Sequence, residues 1–149
     1  MKKIFMVIVT SCVLISCVAK KGETLADNQG LKNPKIYEGT LPCADCSGIE
    51  TILKIDQGDG TMEGHKFELT KKYKGKDNGK LFTESGSFNI ERGLEDDPDG
   101  TVYVLHWNKP EADQIFYGYK AANPGTIYLL NAKREIIKSD LNYSLKLKN

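Results

Sequence analysis

Ile49-Glu50-Thr51-Ile52-Leu53-Lys54-Ile55-Asp56 decides the fold class. Ile49, Thr51, Leu53 and Ile55 fall on one side of an extended chain, and Glu50, Lys54 and Asp56 fall on the other. That is the period of two expected of a half-buried strand. Asp59-Gly60 follows as a turn signal. Downstream, Lys66 to Tyr73 carries Phe67, Leu69 and Thr70, and Asn78-Gly79 marks the next hairpin before Leu81 to Ile90. In that last run Phe82, Glu84, Gly86 and Phe88 share a face, and a glycine between aromatics suits a bend or a close backbone approach. Upstream, Ile36 to Leu41 forms a first run that stops at Pro42.

The pattern continues towards the C-terminus. Glu91 to Gly100 is acidic and contains Asp97-Pro98-Asp99-Gly100, a turn by residue chemistry. Val102 to Trp107, Ile115 to Tyr119, Thr126 to Leu130 and Leu141 to Leu147 supply the remaining runs. The continuous apolar character of Val102 to Trp107 would also suit a helix, but its β-branched and aromatic content favours a strand. Eight candidate strands with short connections predict an all-β fold, a meander that closes into a barrel or sandwich. No internal repeat stands out.

The N-terminus has a separate purpose. Met1-Lys2-Lys3 is a positive start, Ile4 to Leu14 an apolar stretch, and Leu14-Ile15-Ser16-Cys17 a small-residue cleavage site. Lys20 and Lys21 close the apolar run long before the roughly 20 residues a spanning helix needs. Leu-x-Ser-Cys in this position resembles the bacterial lipobox. Residues 1–16 are therefore expected to be a lipoprotein signal peptide and Cys17 a lipidated residue, because two acyl chains anchor stably where one binds marginally. Val18 to about Lys35 is polar and aperiodic and reads as a flexible tether, giving 17–35 as lipidated cysteine and linker and 36–149 as the folded domain. Membrane contact is expected through Cys17 alone.

The 149-residue chain has 21 basic and 20 acidic side chains, and removing residues 1–16 takes Lys2 and Lys3 with it. A formal charge close to zero excludes nucleic acid, which is bound through a basic face. The length fits one domain. Of four cysteines, Cys12 leaves with the signal and Cys17 is taken by lipid, so Cys43 and Cys46 hold the remaining thiol chemistry. In an oxidising envelope such a pair is more often a disulfide than two thiols.

Leu41-Pro42-Cys43-Ala44-Asp45-Cys46-Ser47-Gly48 is the most informative stretch for function. As a redox centre, its first thiol should sit at a helix N-terminus that lowers the thiolate pKa, but Ser47-Gly48 leads into a period-two strand. A structural zinc site would need about four ligands, and neither a second Cys-x-x-Cys nor a His-x-x-x-His is present. Two thiolates suit Cu(I), with Met62 and His65 as additional candidate ligands from a loop able to approach the pair. A short disulfide stapling a turn is the remaining reading. His65 and His106 are isolated in sequence and are more often packing residues than ligands. Glu95, Asp96, Asp97 and Asp99 lack the EF-hand calcium-loop pattern and read as a solvated loop. No Ser-His-Asp order, paired carboxylates or phosphate-binding glycine loop points to catalysis.

Tyr37-Glu38-Gly39-Thr40-Leu41-Pro42-Cys43-Ala44-Asp45-Cys46-Ser47-Gly48-Ile49-Glu50-Thr51 resembles the N-terminal domain of the NlpE family of copper-homeostasis and envelope-stress lipoproteins. Ile137-Lys138-Ser139-Asp140-Leu141-Asn142-Tyr143-Ser144-Leu145 looks like that family's closing strand. The resemblance implies a small antiparallel β-barrel related in shape to the lipocalins, an outer-membrane location, and a role in sensing or relaying envelope stress with an envelope protein partner. It carries over only Cys43 and Cys46 as functional residues. Family members can bear a second C-terminal domain, for which this chain stops too early. The expectation is a non-enzymatic lipoprotein that binds Cu(I) or reports envelope state through the cysteine pair. The alternative is a lipocalin-type carrier with a structural disulfide, since an eight-stranded barrel can hold one small ligand. A thiol-disulfide oxidoreductase ranks last.

Overall fold

The structure, a computed structural model, describes residues 31–149. The expected signal peptide, the lipidation at Cys17 and most of the expected tether lie outside the described residues. Eight strands follow in chain order: β1 Lys35–Leu41, β2 Ile49–Asp56, β3 Lys66–Tyr73, β4 Leu81–Leu94, β5 Asp97–Leu105, β6 Ile115–Tyr119, β7 Thr126–Leu129 and β8 Ser144–Leu147. Each pairs antiparallel with the next, and β8 returns to β1 through Tyr37↔Leu147 and Glu38↔Lys146, closing an all-β barrel. Among the described residues no helix is long and apolar enough to cross a membrane.

The alternation in β2 has its predicted meaning: Thr51, Leu53 and Ile55 are buried in the barrel interior. They join Tyr37, Leu41, Phe67, Leu69, Phe88, Tyr103, Leu105, Tyr117, Ile127 and Leu145 in one core. Gly86 faces the same interior, and a Cβ there would lie 3.0 Å from His106 Nδ1 and 3.1 Å from Phe67 Cε1. The glycine between aromatics thus marks a close approach of two rings.

A second core lies on the outside of the barrel. Leu94, Val102, Val104, Phe116 and Leu130 are buried together, with Tyr128 and Ile136 against them. The β7–β8 connection supplies Leu130 and Ile136, which form an isolated bridge, and its Arg134 lies over the Phe116 ring at 4.8 Å. Both faces of β5 are therefore covered, which explains the continuous apolar run in Val102 to Leu105.

Four sequence expectations are corrected. Asp97-Pro98-Asp99-Gly100 is not a turn but the start of β5; the turn is Glu95-Asp96, with Glu95 at φ 53°. Burial of Leu94 in the outer core carries β4 past Ile90, and a β-bulge between Arg92 and Leu94 adjusts the register. Trp107 is outside β5, because His106 at φ 57° turns the chain away after Leu105. The closing strand is only Ser144–Leu147, since residues 137–143 lie in the connection that follows Ile136. At the other end of the chain, Asp56 accepts hydrogen bonds from Lys32 N (2.6 Å), Asn33 N (3.3 Å) and Gly58 N (2.9 Å). The chain is thus fastened to the barrel ahead of the expected boundary at residue 36.

Candidate functional site

In an antiparallel meander, successive connections alternate between the two ends of the barrel. The β1–β2 connection, which carries the cysteines, shares one end with the β3–β4, β5–β6 and β7–β8 connections. Pro42 has no N–H and ends the β1 ladder after Leu41. At the far side of the loop, Gly48 holds φ 141°, and a Cβ there would come within 2.6 Å of Thr40 Cγ2. Only glycine fits, so Pro42 and Gly48 bracket a loop of fixed shape.

Within it Cys43 and Cys46 form a disulfide with Cα atoms 5.3 Å apart, both half-buried. Asp45 is exposed, and its ligand atom lies within 4.8 Å of both sulfurs. Cys43 Sγ is 3.5 Å from Asp45 Oδ1, and Cys46 Sγ is 3.3 Å from Gly48 O. The bonded sulfurs carry no protons; after reduction, each thiol would have one of these oxygens as an acceptor. A hydrogen bond from Lys76 holds the Asp45 carboxyl below its usual range.

The loop is tied to the hairpin beside it. Ser47 N donates to Lys74 O at 3.2 Å, and Lys74 N donates to Gly48 O at 2.9 Å. Lys74 and Lys72 also share the Glu50 carboxylate, at 3.2 and 3.6 Å.

Met62 and His65 do not join the cysteines. They belong to the β2–β3 connection at the opposite end, and the eight residues of β2, at about 3.3 Å each, separate the two loops by about 25 Å. Met62 is exposed, whereas His65 is buried with its ring stacked on Phe88 at 4.6 Å. His106 packs edge-on against Phe67 at 4.8 Å. Its Nε2 lies 3.1 Å from Glu84 Oε2, while Lys71 Nζ binds Glu84 Oε1 at 2.9 Å. Burial alone would raise the Glu84 carboxyl, but the hydrogen bonds from Lys71 and His106 outweigh it and hold the group below its ordinary value. Sequence reading missed this polar cluster; the signal was Glu84 on a face otherwise made of Phe82, Gly86 and Phe88.

The acidic loop is engaged by protein groups. Asp96 pairs with Lys120 at 2.7 Å, Asp97 Oδ2 accepts Ala121 N at 2.7 Å, and Asp99 pairs with Arg92. Inside the barrel, Tyr37, Tyr103, Tyr117, Phe67 and Phe88 are fully buried. Burial, with Tyr119 adding to it, pushes the Tyr37 hydroxyl up to about 12. These five rings share the barrel interior with the aliphatic core residues.

Comparison with known proteins agrees with this architecture. A search of curated proteins finds no match. Among solved structures, a chain from Shewanella oneidensis assigned as a lipoprotein is 28% identical, with a TM-score of 0.52; the match covers 79% of this chain and 91% of that one. The Cpx pathway activator NlpE from Escherichia coli is 25% identical, with a TM-score of 0.48; the match covers 78% of this chain and 52% of that one. The family model described as the NlpE N-terminal domain matches residues 37–140, which include the whole cysteine loop, six complete strands and most of β1. The chain belongs to the NlpE N-terminal domain family.

Proposed function

We propose that this protein is a non-enzymatic lipoprotein of the cell envelope, anchored through Cys17 to the outer membrane, and that its Cys43–Cys46 loop takes up Cu(I) or reports the redox state of the envelope. One observation carries the reading. The loop combines two sulfurs and a carboxylate within ligand range, outside both cores. Copper uptake requires reduction of the disulfide first: two electrons and two protons from a dithiol reductant give two thiols. Cu(I) then displaces both protons and binds two thiolates, the soft ligands it prefers. Asp45, paired with Lys76, is the third ligand-type group beside the two sulfurs. The absence of a helix N-terminus at the pair, among the described residues, argues against thiol-disulfide catalysis.

Thiol titration of the purified protein, with and without a dithiol reductant and Cu(I), tests the reading. The expected result is no free Cys43 or Cys46 thiol before reduction, and two afterwards that are lost again as one Cu(I) binds. A pair that reductant opens but that leaves Cu(I) unbound removes copper from the proposal. A pair that stays closed at the reducing limit of the envelope removes the sensor altogether.

A further inference from the structure

The cysteine loop holds more than a pair of sulfurs. Asp45 divides its carboxylate between two neighbours: Oδ2 accepts a hydrogen bond from Lys76 Nζ, while Oδ1 lies 3.5 Å from Cys43 Sγ. Cys43, Asp45 and Cys46 are the one group of three metal-type ligands among the described residues, with their ligand atoms all within 4.8 Å of one another. Cysteine spacing alone does not count the carboxylate, which brings the loop from two ligands to three.

That geometry fits one class of ion. Tetrahedral zinc, with bonds of about 2.3 Å to sulfur and about 2.0 Å to oxygen, sets a thiolate and a carboxylate oxygen about 3.5 Å apart. Cys43 Sγ and Asp45 Oδ1 already have that separation. Calcium and magnesium take oxygen ligands throughout, which two cysteines do not supply. Cu(I) prefers the soft thiolates, and a hard carboxylate adds little to them. Charge points the same way. In the reduced loop with metal bound, two thiolates and the carboxylate carry three negative charges; a divalent ion together with Lys76 cancels them, whereas Cu(I) with Lys76 leaves one over.

The surroundings hold the ligands and leave one side open. Lys74 N donates to Gly48 O at 2.9 Å, the same oxygen that lies 3.3 Å from Cys46 Sγ. Lys76, from the same hairpin, holds Asp45 from outside, as outer-shell partners do for ligating carboxylates. Asp45 is exposed and both cysteines are half-buried, so water reaches the position that no protein ligand fills. Zinc sites with three protein ligands and one water have this form.

We propose that the reduced loop is a zinc-class site in which Cys43, Asp45 and Cys46 bind one Zn(II), water takes the fourth position, and Lys76 is the positioning residue that keeps Asp45 turned towards the sulfurs. A dithiol reductant first gives two electrons and two protons to the disulfide and is itself oxidised to a disulfide. Zn(II) then displaces the two thiol protons as it binds. The proposal rests on the sensor reading for the opening of the pair and adds a second ion to it.

The test uses the full chain in detergent, reduced, freed of reductant under argon, and titrated separately with Zn(II) against a chromophoric chelator, with Co(II) and with Cu(I). One Zn(II) should bind with release of about two protons, and Co(II) should give the strong visible absorption of a four-coordinate thiolate site. Asp45→Asn should lower the ratio of Zn(II) to Cu(I) affinity about tenfold or more. Lys76→Met should weaken Zn(II) about tenfold, the low end of what losing an outer-shell partner costs, and Lys76→Arg should restore it. Both side chains are exposed, so these variants should keep the β spectrum. Cu(I) uptake without Zn(II) uptake overturns the proposal and leaves copper standing. Zn(II) uptake that Asp45→Asn leaves unaltered, or that survives Cys43→Ser with Cys46→Ser, overturns the ligand set. Zn(II) uptake without Cu(I) uptake supports the zinc site and removes copper from the sensor reading. A pair that stays closed under reductant overturns both.

Discussion

The barrel interior around Phe67, Phe88 and His106 and the loop around Cys43 and Cys46 are built on opposite principles. In the interior, rings from β3, β4, β5 and the residues beside them meet at 4.6 to 5.3 Å, and even the extra carbon of an alanine at Gly86 would crowd them. In the loop, a disulfide of four-residue span is held by two backbone bonds to Lys74 and an ion pair to Lys76. The first region has packing and little chemistry; the second has chemistry and little packing. Stability and the proposed sensing thus fall to different parts of one small domain, and a change in the loop need not pass through the core.

The largest effect should come from Phe88→Ala. Its side chain is fully buried between His65 and Tyr103, and truncating a core phenylalanine costs about 3–5 kcal/mol. Urea unfolding should lose that much while thiol titration of the folded protein is unchanged; a loss under about 1 kcal/mol would remove the contrast. Gly86→Ala comes next. The added carbon meets His106 and Phe67, both buried, so overpacking should cost about 1–3 kcal/mol, readable as a lower urea midpoint. Restoration of stability by adding His106→Ala would identify the clash as the cause.

Asp56 sharpens the boundary of the stable region. The hydrogen bond from Gly58 leads, with Lys32 and Asn33 adding to it against the opposing effect of burial, and together they hold the carboxyl below its ordinary value. A depressed folded pKa gives stability that is fully present above the unfolded value of about 3.9 and is lost as pH falls through the folded value. Asp56→Ala should cost about 2 kcal/mol at neutral pH, as charge-assisted bonds of this kind do, and flatten the dependence on pH below about 4. Because Lys32 and Asn33 make two of these bonds, a chain starting at Leu31 should melt above one starting at Ile36, and both should give β-dominated circular dichroism. Equal melting points would show that the N-terminal fastening contributes nothing.

Sequence legibility followed the same division. The period of two located β2 with its buried face, and the β3 and β6 runs were found with the right bounds because breaking residues flank them. It failed where tertiary contacts override local chemistry. Asp97-Pro98-Asp99-Gly100 is turn-like in every residue, yet burial of Leu94 beside Gly100 draws the pair of strands onward. The outer core was invisible because its cover, the segment from Leu130 to Ile136, has no period and binds a face that looks solvent-exposed in isolation. For the site, Cys43, Asp45 and Cys46 are neighbours in sequence and needed no fold to bring them together. Met62 and His65 were misplaced although the sequence held the answer: one whole strand separates their loop from the cysteines, and a single strand always carries the chain to the other end of the barrel.

The smallest structural effect and the largest functional one should coincide in Cys43→Ser with Cys46→Ser. Closing so short a loop is worth at most about 2 kcal/mol in the chain-entropy picture. The direct measurement is Cu(I) uptake by the double variant beside its thermal melt, followed by complementation of a deletion strain under copper excess and envelope stress. The account predicts an unchanged β spectrum, a slightly lower melting temperature, no copper uptake and failure to complement. A variant that unfolds, or one that complements fully under both stresses, would contradict it.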